Sequence, residues 1–217
     1  MRFSGQVPSP SLTRFGVVAV AASTGGMKAL RALLAALPDD FAAPIVVVQH
    51  RASRTGAYLE QILEQRTGLV VREARDGAEL RGGCVYVGPP DRHVLVAPGG
   101  VLRLGDGPPV NFVRPSADPL FQSAAECYGA RALGVVLTGR GRDGAAGAAA
   151  IRRCGGLVLV QDPATCVAPS MPQAVLSGCG ADFVLPPESL GHALVSLVME
   201  PGVSTALFGL PPAVVSA

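Results

Sequence analysis

The most constraining feature of this sequence is an apolar run, residues 17–22, that ends abruptly at Ser23, Thr24 and two glycines. Such a run is typical of a strand that is covered on both faces. Leucines at helical spacing follow, and Pro38 ends them. The pattern predicts a strand, a tight turn and a helix, with Ser23 at the carboxyl end of the strand. Open parallel sheets bind their ligands beyond such strand ends.

The rest of the chain repeats this alternation of strand and helix. Further strands are predicted at 45–48, 69–72, 134–137, 157–160 and 182–185, and helices at 55–66, 116–128, 145–154, 172–177 and 190–199. The alternation predicts an α/β fold with a single doubly wound, mostly parallel sheet and helices on both faces. We expect one domain, 14–199, between a tail or linker stub at 1–13 and a C-terminal tail at 200–217.

Residues 78–104 break the alternation. Gly-Gly, Gly-Pro-Pro and Pro-Gly-Gly sequences separate three short runs, at 84–87, 93–97 and 101–104. Short runs between turn signals predict a small antiparallel hairpin section beside the main sheet.

Composition excludes several classes of protein. Of the 217 residues, 49% are hydrophobic and 16% are charged, which indicates a globular chain rather than a disordered one. The net charge of +2 is too small to indicate a nucleic-acid partner. No apolar run is long enough for membrane insertion, and we expect no secretory signal. Five cysteines form no Cys-x-x-Cys pair, so we expect no metal cage, no disulfide framework and a reducing, cytoplasmic location.

Three predicted strands end in side chains that could carry out nucleophilic chemistry: Ser23, His50 and Asp143. In a parallel sheet these ends share one edge. A hydroxyl, an imidazole that takes its proton and a carboxylate that orients the imidazole would then meet there. Ser23 could instead be only the N-cap of the following helix. His93, in the hairpin section, and His192, in the last predicted helix, are expected to be structural.

A second interpretation rests on a glycine-rich loop. Gly139, Gly141 and Gly144 fit the G-x-G-x-x-G pattern that binds dinucleotides, and Asp162 follows at the end of the next predicted strand. The carboxylate of Asp143 inside this loop would repel a pyrophosphate. The residues alone therefore leave both a hydrolase and a nucleotide-binding protein open.

Four longer motifs lie at or beside the predicted strand ends. They are Ala22-Ser23-Thr24-Gly25-Gly26, Val48-Gln49-His50, Arg114-Pro115-Ser116-Ala117-Asp118-Pro119-Leu120-Phe121 and Leu137-Thr138-Gly139-Arg140-Gly141-Arg142-Asp143-Gly144-Ala145. With Gln161-Asp162, Met171-Pro172 and segment 83–93, they resemble the catalytic domain of the CheB family, the chemotaxis protein-glutamate methylesterases. The resemblance extends over residues 15–197, and the family fold is a doubly wound α/β sheet.

The resemblance implies a function and a set of roles. Ser23 would be the nucleophile, His50 the base and Asp143 the orienting acid of a serine hydrolase. That enzyme demethylates glutamate γ-methyl esters, and deamidates glutamines, on methyl-accepting chemotaxis receptors. No cofactor or metal is implied. The oxyanion and substrate contacts would come from Thr24, Gly25, Arg140 and Gly141.

Two departures from the family pattern concern the mouth of the pocket. Arg140 stands where the family usually has methionine, and Arg51-Ala52 stands where it usually has an apolar residue and proline. We expect a basic lip, made of Arg51, Arg54, Arg140 and Arg142, that faces an acidic receptor segment. We expect no regulatory receiver domain within this chain. The alternative to an active enzyme is a catalytically idle paralogue that still docks on receptors.

Overall fold

The computed structural model describes residues 15–50 and 59–200. Along these residues the elements are β1 (Val17–Ala22), α1 (Gly26–Ala35), β2 (Ile45–Gln49), α2 (Leu59–Glu64), β3 (Val70–Glu73), β4 (Cys84–Val87), β5 (His93–Ala97), β6 (Val101–Gly105), α3 (Ala117–Tyr128), β7 (Ala132–Val136), α4 (Ala145–Arg153), β8 (Leu157–Gln161), α5 (Ser170–Gly178), β9 (Phe183–Leu185) and α6 (Pro187–Met199). The predicted tail at 1–13, all but the first residue of the tail predicted at 200–217, and the first turn of the helix predicted at 55–66 lie outside the described residues.

A seven-stranded sheet organises the molecule, with the strand order β3-β4-β2-β1-β7-β8-β9. Every neighbouring pair in this sheet is parallel. Strands β2, β3 and β4 lie on one side of β1, with β3 outermost. Strands β7, β8 and β9 lie on the other side. This doubly wound arrangement confirms the predicted fold class. The strand order reverses between β1 and β7, which opens a crevice beyond the carboxyl ends of these strands.

Alternate residues of β1 point into two cores, one on each face of the sheet. Val18 and Val20 pack with the apolar sides of α1, α2 and α6. Val17, Ala19 and Ala21 pack with α3, α4 and α5. Every residue of β1 is buried, and each fully buried valine side chain contributes about 1.5–3 kcal/mol relative to an exposed one. A strand that is covered on both faces needs no polar residue, which explains the unbroken apolar run.

Helices α3 and α4 lie close together because of Gly147. A Cβ atom at this position would lie 2.5 Å from Phe121 Cβ and 3.0 Å from the Asp118 carbonyl oxygen. Only glycine accommodates so close an approach. The contact brings the N-terminal turns of the two helices side by side, and these turns support the site described below.

The predicted antiparallel section is smaller than the sequence indicated. Among the strands of the described residues, only β5 and β6 pair antiparallel. The run 84–87 is instead β4, an interior strand that pairs parallel with both β2 and β3, so its assignment to the hairpin section was wrong. A Cβ atom at Gly82 would lie 2.4 Å from the Ala42 carbonyl oxygen. The Gly82-Gly83 pair had suggested a hairpin turn, but Gly82 instead allows two backbone segments to approach closely. The local sequence does not distinguish these two uses of glycine.

Within residues 15–50 and 59–200, no helix combines the length and the apolar character that crossing a membrane requires.

Candidate active site

Ser23 lies in the turn between β1 and α1, at the central crevice. Its N–H donates to the Thr138 carbonyl at 3.0 Å, and its own carbonyl accepts from Gly26 N–H at 2.8 Å. Helix α1 begins at Gly26, and its N-cap is Gly25 in the left-handed region, with φ of 81°. Ser23 is therefore not the N-cap of α1. Its side chain stays available at the strand end, where a Cβ on Gly139 would come within 2.7 Å of Ser23 Cβ.

His50 is held beside Ser23 by the sheet register. Ala22 pairs with Gln49 across β1 and β2, and His50 N–H donates to the Ala22 carbonyl at 2.9 Å. The amide of Gln49 fixes both turns, because its Nε2 donates to the Ser23 carbonyl at 2.9 Å and to the His50 carbonyl at 3.0 Å. Gln49 is buried, so these bonds are partly shielded from water. The nucleophile and base candidates thus follow adjacent, cross-linked strand ends.

Asp143 completes the group from the loop before α4. Its Oδ2 lies 2.7 Å from His50 Nε2, and its side chain is only 2% exposed. The same oxygen accepts from Ala117 N–H at 2.7 Å. Its Oδ1 accepts from the Ser116 hydroxyl at 2.5 Å and from Asp118 N–H at 3.3 Å. The carboxylate therefore sits at the N-terminus of α3, where free N–H groups and the helix dipole stabilise negative charge.

This environment keeps Asp143 ionised. Burial by itself raises the pKa of the carboxyl, but hydrogen bonds from the His50 ring, a helix N–H and a serine hydroxyl together lower the pKa below its ordinary value. A carboxylate in this position is able to orient an imidazole and to stabilise its protonated form. Because Nε2 is engaged by the carboxylate, Nδ1 is the ring nitrogen left to serve the Ser23 hydroxyl. Among the described residues, no hydrogen bond joins that hydroxyl to the ring.

Two further side chains support Asp143, although neither was predicted from the sequence to belong to the site. Asp118, in the first turn of α3, accepts from Gly147 N–H of α4 at 2.7 Å. Each aspartate thus caps the other's helix. Asn111 links the two carboxylates, because its Nδ2 lies 2.7 Å from Asp118 Oδ2 and 3.1 Å from Asp143 Oδ1. Asp118 stands in one of the motifs quoted above, whereas Asn111 carried no signal in the sequence.

Asp118 differs from Asp143 in its protonation behaviour. Burial is the main cause that raises the pKa of Asp118, and the nearby charge of Asp143 adds to the shift. The amide of Asn111 donates to both groups and so offsets the repulsion between them. Asn111 therefore holds the two carboxylates in place.

His93 and His192 lie where a structural role is expected. His93 is buried; its Nδ1 accepts from Ser116 N–H at 3.2 Å, and its Nε2 faces the Pro108 carbonyl at 3.1 Å. This pairing requires the proton on Nε2 and lets His93 brace the segment that leads into α3. His192 is exposed on α6.

The glycine-rich loop has few N–H groups left for a phosphate. Gly139 N–H donates to the Ala168 carbonyl at 2.8 Å, and Gly141 N–H donates to Ser170 Oγ at 3.1 Å. A carboxylate already occupies the first turn of α4, through Gly147 N–H. The Asp162 side chain accepts from Ala164 N–H in its own turn. The arrangement therefore disfavours the dinucleotide interpretation.

The proposed basic lip is only partly described. Arg140 and Arg142 are exposed on the loop that carries Asp143. Arg51 and Arg54 lie outside the described residues. Two cations therefore flank the site on the side of the acid.

Comparison with known proteins agrees with this geometry. A family model described as CheB methylesterase matches residues 18–194. The chain belongs to the CheB methylesterase family. The family resemblance inferred from the motifs is therefore confirmed.

Individual relatives show how much of the chain the CheB likeness covers. A protein-glutamate methylesterase/protein-glutamine glutaminase of Anaeromyxobacter dehalogenans is 50% identical, over 85% of this chain and 54% of the relative. One of Caulobacter vibrioides is 45% identical, over 82% of this chain and 53% of the relative. The crystal structure of the Thermotoga maritima CheB methylesterase catalytic domain matches with a TM-score of 0.82 and 38% identity, over 85% of this chain and 99% of that one. The chain spans about half the length of these two curated relatives.

Proposed function

We propose that this chain is a serine hydrolase that demethylates glutamate γ-methyl esters, and deamidates glutamines, on chemoreceptor proteins. One observation carries the proposal: Ser23, His50 and Asp143 lie at one edge of the sheet, with His50 Nε2 2.7 Å from Asp143 and the His50 backbone in register with the Ser23 turn. The names of the CheB relatives supply the ester and amide specificity. Five described cysteines are free thiols, which suits a cytoplasmic protein.

The reaction follows from the roles of these groups. His50 Nδ1 takes the proton of the Ser23 hydroxyl as Oγ attacks the ester carbonyl carbon. The tetrahedral intermediate collapses, its C–O bond to methoxide breaks, and His50 returns the proton so that methanol leaves. Water then attacks the acyl-enzyme with His50 as base, which regenerates Ser23 and releases the glutamate carboxylate. With a glutamine substrate the leaving group is ammonia.

The oxyanion of that intermediate needs N–H donors beside Ser23. Among the described residues, no acceptor pairs with the backbone N–H of Thr24, Gly25 or Arg140, and the N-terminus of α1 adds a positive dipole. We place the oxyanion site at these groups. Gly141 shapes the loop instead, since its N–H is taken by Ser170 Oγ.

The proposed function is tested by ester turnover together with covalent labelling. Incubation with a receptor fragment that carries glutamate γ-methyl esters should release methanol. A fluorophosphonate should label about one serine per chain, and mass spectrometry should locate the label on Ser23. The physical reason is that only a serine with an adjacent base is nucleophilic enough to react.

Two alternative functions predict different results in the same experiments. An idle paralogue would bind the methylated fragment without releasing methanol and without reacting at Ser23. A dinucleotide-binding protein would gain thermal stability from NAD, whereas the hydrolase should show no shift. Methanol release with the label on another serine would contradict the assigned nucleophile.

The basic lip makes a separate prediction about substrate affinity. Arg140→Glu should raise KM for an acidic receptor fragment about tenfold at low salt, because an attraction becomes a repulsion. The effect should shrink as salt rises, since the charges are exposed. Arg153→Glu is the matched control, because Arg153 is exposed at the far end of α4. Equal KM values for the two variants would show that the lip has no partner.

A further inference from the structure

Phe112 is the most exposed large apolar side chain among the described residues, with a relative exposure of 102%. It lies at the tip of a two-residue turn. The N–H and carbonyl groups of Val110 and Val113 bond to each other at 3.1 Å in both directions. Asn111 and Phe112 between them have φ of 52° and 64°. Both central residues are thus left-handed, as in a type I′ turn.

Folding alone does not account for phenylalanine at this position. The second central residue of such a turn is usually glycine, because a side chain in the left-handed region is strained and a bulky one especially so. Full exposure of an aromatic ring adds a second unfavourable feature. A strained residue held by its surroundings is characteristic of functional sites.

The turn is anchored to the site and held rigidly. Asn111, next to Phe112, donates to Asp143 at 3.1 Å. Arg114, just after the turn, contacts Asp91 Oδ1 through Nε at 2.9 Å and through Nη2 at 2.6 Å. It also donates to the carbonyls of Asp106 and Gly107 at 3.2 and 2.9 Å. The backbone of Phe112 is therefore held next to Asn111, whose amide contacts the acid of the proposed triad, and its ring faces solvent.

We propose that Phe112 is a specificity-determining residue that packs on an apolar side chain of the protein substrate, one helical turn from the modified glutamate. The inference rests on the proposed function. On a helical substrate, residues three or four positions apart lie about 5–6 Å from each other, so a residue beside the scissile side chain reaches the rim of the site. A short, unstructured ester presents no such neighbour. Phe112 thus favours a helical protein over a small ester.

Phe112→Gly tests this inference, because glycine suits the turn and removes only the ring. We expect kcat/KM for a helical methylated receptor fragment to fall about tenfold, which is a typical loss for a buried aromatic contact. For a short glutamyl methyl ester peptide the decrease should be less than about twofold, because that substrate does not reach the ring. Tm should stay the same or rise by about 2 °C as backbone strain is relieved.

A substrate variant and a control enzyme sharpen the test. Alanine in place of the apolar substrate residue one turn from the glutamate should slow the native enzyme but not the Phe112→Gly variant. Val70 is an exposed apolar residue at the amino end of β3, so Val70→Ala should leave both rates unchanged.

An equal loss of kcat/KM on both substrates, no loss on either, or a fall in Tm would overturn the role of Phe112. Hydrolysis of neither ester by the native chain would overturn the proposed function, and this inference with it.

Discussion

Ser23→Ala should lower kcat for methyl ester hydrolysis by about 10³- to 10⁶-fold while the chain stays folded. The variant removes the oxygen atom that, in the proposed mechanism, forms the acyl-enzyme bond. The backbone bonds of residue 23 to Thr138 and Gly26 remain. Because the hydroxyl makes no hydrogen bond with another described residue, the free energy of unfolding should change by less than about 0.5 kcal/mol. Methanol release and urea unfolding measure the two quantities.

The control for this variant is Ser196→Ala, which deletes a hydroxyl from α6 on the opposite face from α3 and α4. It should leave kcat unchanged. Residual activity of Ser23→Ala within tenfold of the native rate would mean that ester hydrolysis does not pass through this serine. The Ser23→Ala variant should still bind the methylated receptor fragment, because the residues around the opening of the site are unaltered.

Asp143→Asn should lower kcat by about 10³- to 10⁴-fold, because an amide neither holds the imidazole in the required tautomer nor stabilises the imidazolium. It should also destabilise the fold by about 2–4 kcal/mol, since the amide replaces an acceptor by a donor among groups that all donate. Those donors are His50 Nε2, Ala117 N–H, Asp118 N–H, Ser116 Oγ and Asn111 Nδ2. Single-turnover kinetics and chemical denaturation separate the two effects. Asp76→Asn, at an exposed site beside β6, is the matched control.

The stability loss in Asp143→Asn should depend on pH with a definite sign. Because the pKa of Asp143 is lowered in the folded chain, its stabilisation is fully present above the unfolded value, about pH 4. As pH falls, the unfolded chain takes up the proton first, and the contribution disappears through the lower folded pKa. The difference in unfolding free energy between native and variant should therefore shrink below about pH 4. A difference that grows in acid would contradict the anionic assignment of Asp143.

Asp118 has the opposite linkage. Its raised pKa means that the folded chain takes up the proton first, so its contribution is present at low pH and declines as pH rises through that pKa. The two neighbouring carboxyl groups, Asp118 and Asp143, can lie close together because each caps a helix and Asn111 donates to both. This reciprocal capping fixes the position of Asp143 against the His50 ring. Rigid support of this kind is what an orienting acid requires.

The sequence by itself determined the architecture and the edge on which the site lies. An apolar run that stops at Ser23 specifies a buried strand, and the alternation of strands and helices specifies a parallel sheet. In such a sheet the carboxyl ends of all strands lie at one edge. Ser23, His50 and Asp143 could therefore be placed together although up to 120 residues separate them along the chain. Local patterns were sufficient to predict that these residues lie together, because all strands of a parallel sheet run in the same direction.

The tertiary structure decided what depends on contacts between distant segments. It placed β4 inside the sheet, between β3 and β2. The sequence could not predict this, because a short apolar run does not show which strands it pairs with. It showed which ring nitrogen of His50 faces the acid and which loop N–H groups are already bonded. It also brought Asn111 to a carboxylate 32 residues away and left the neighbouring Phe112 fully exposed. No local pattern encodes these placements, because they result from how α3, α4 and their loops pack on the sheet.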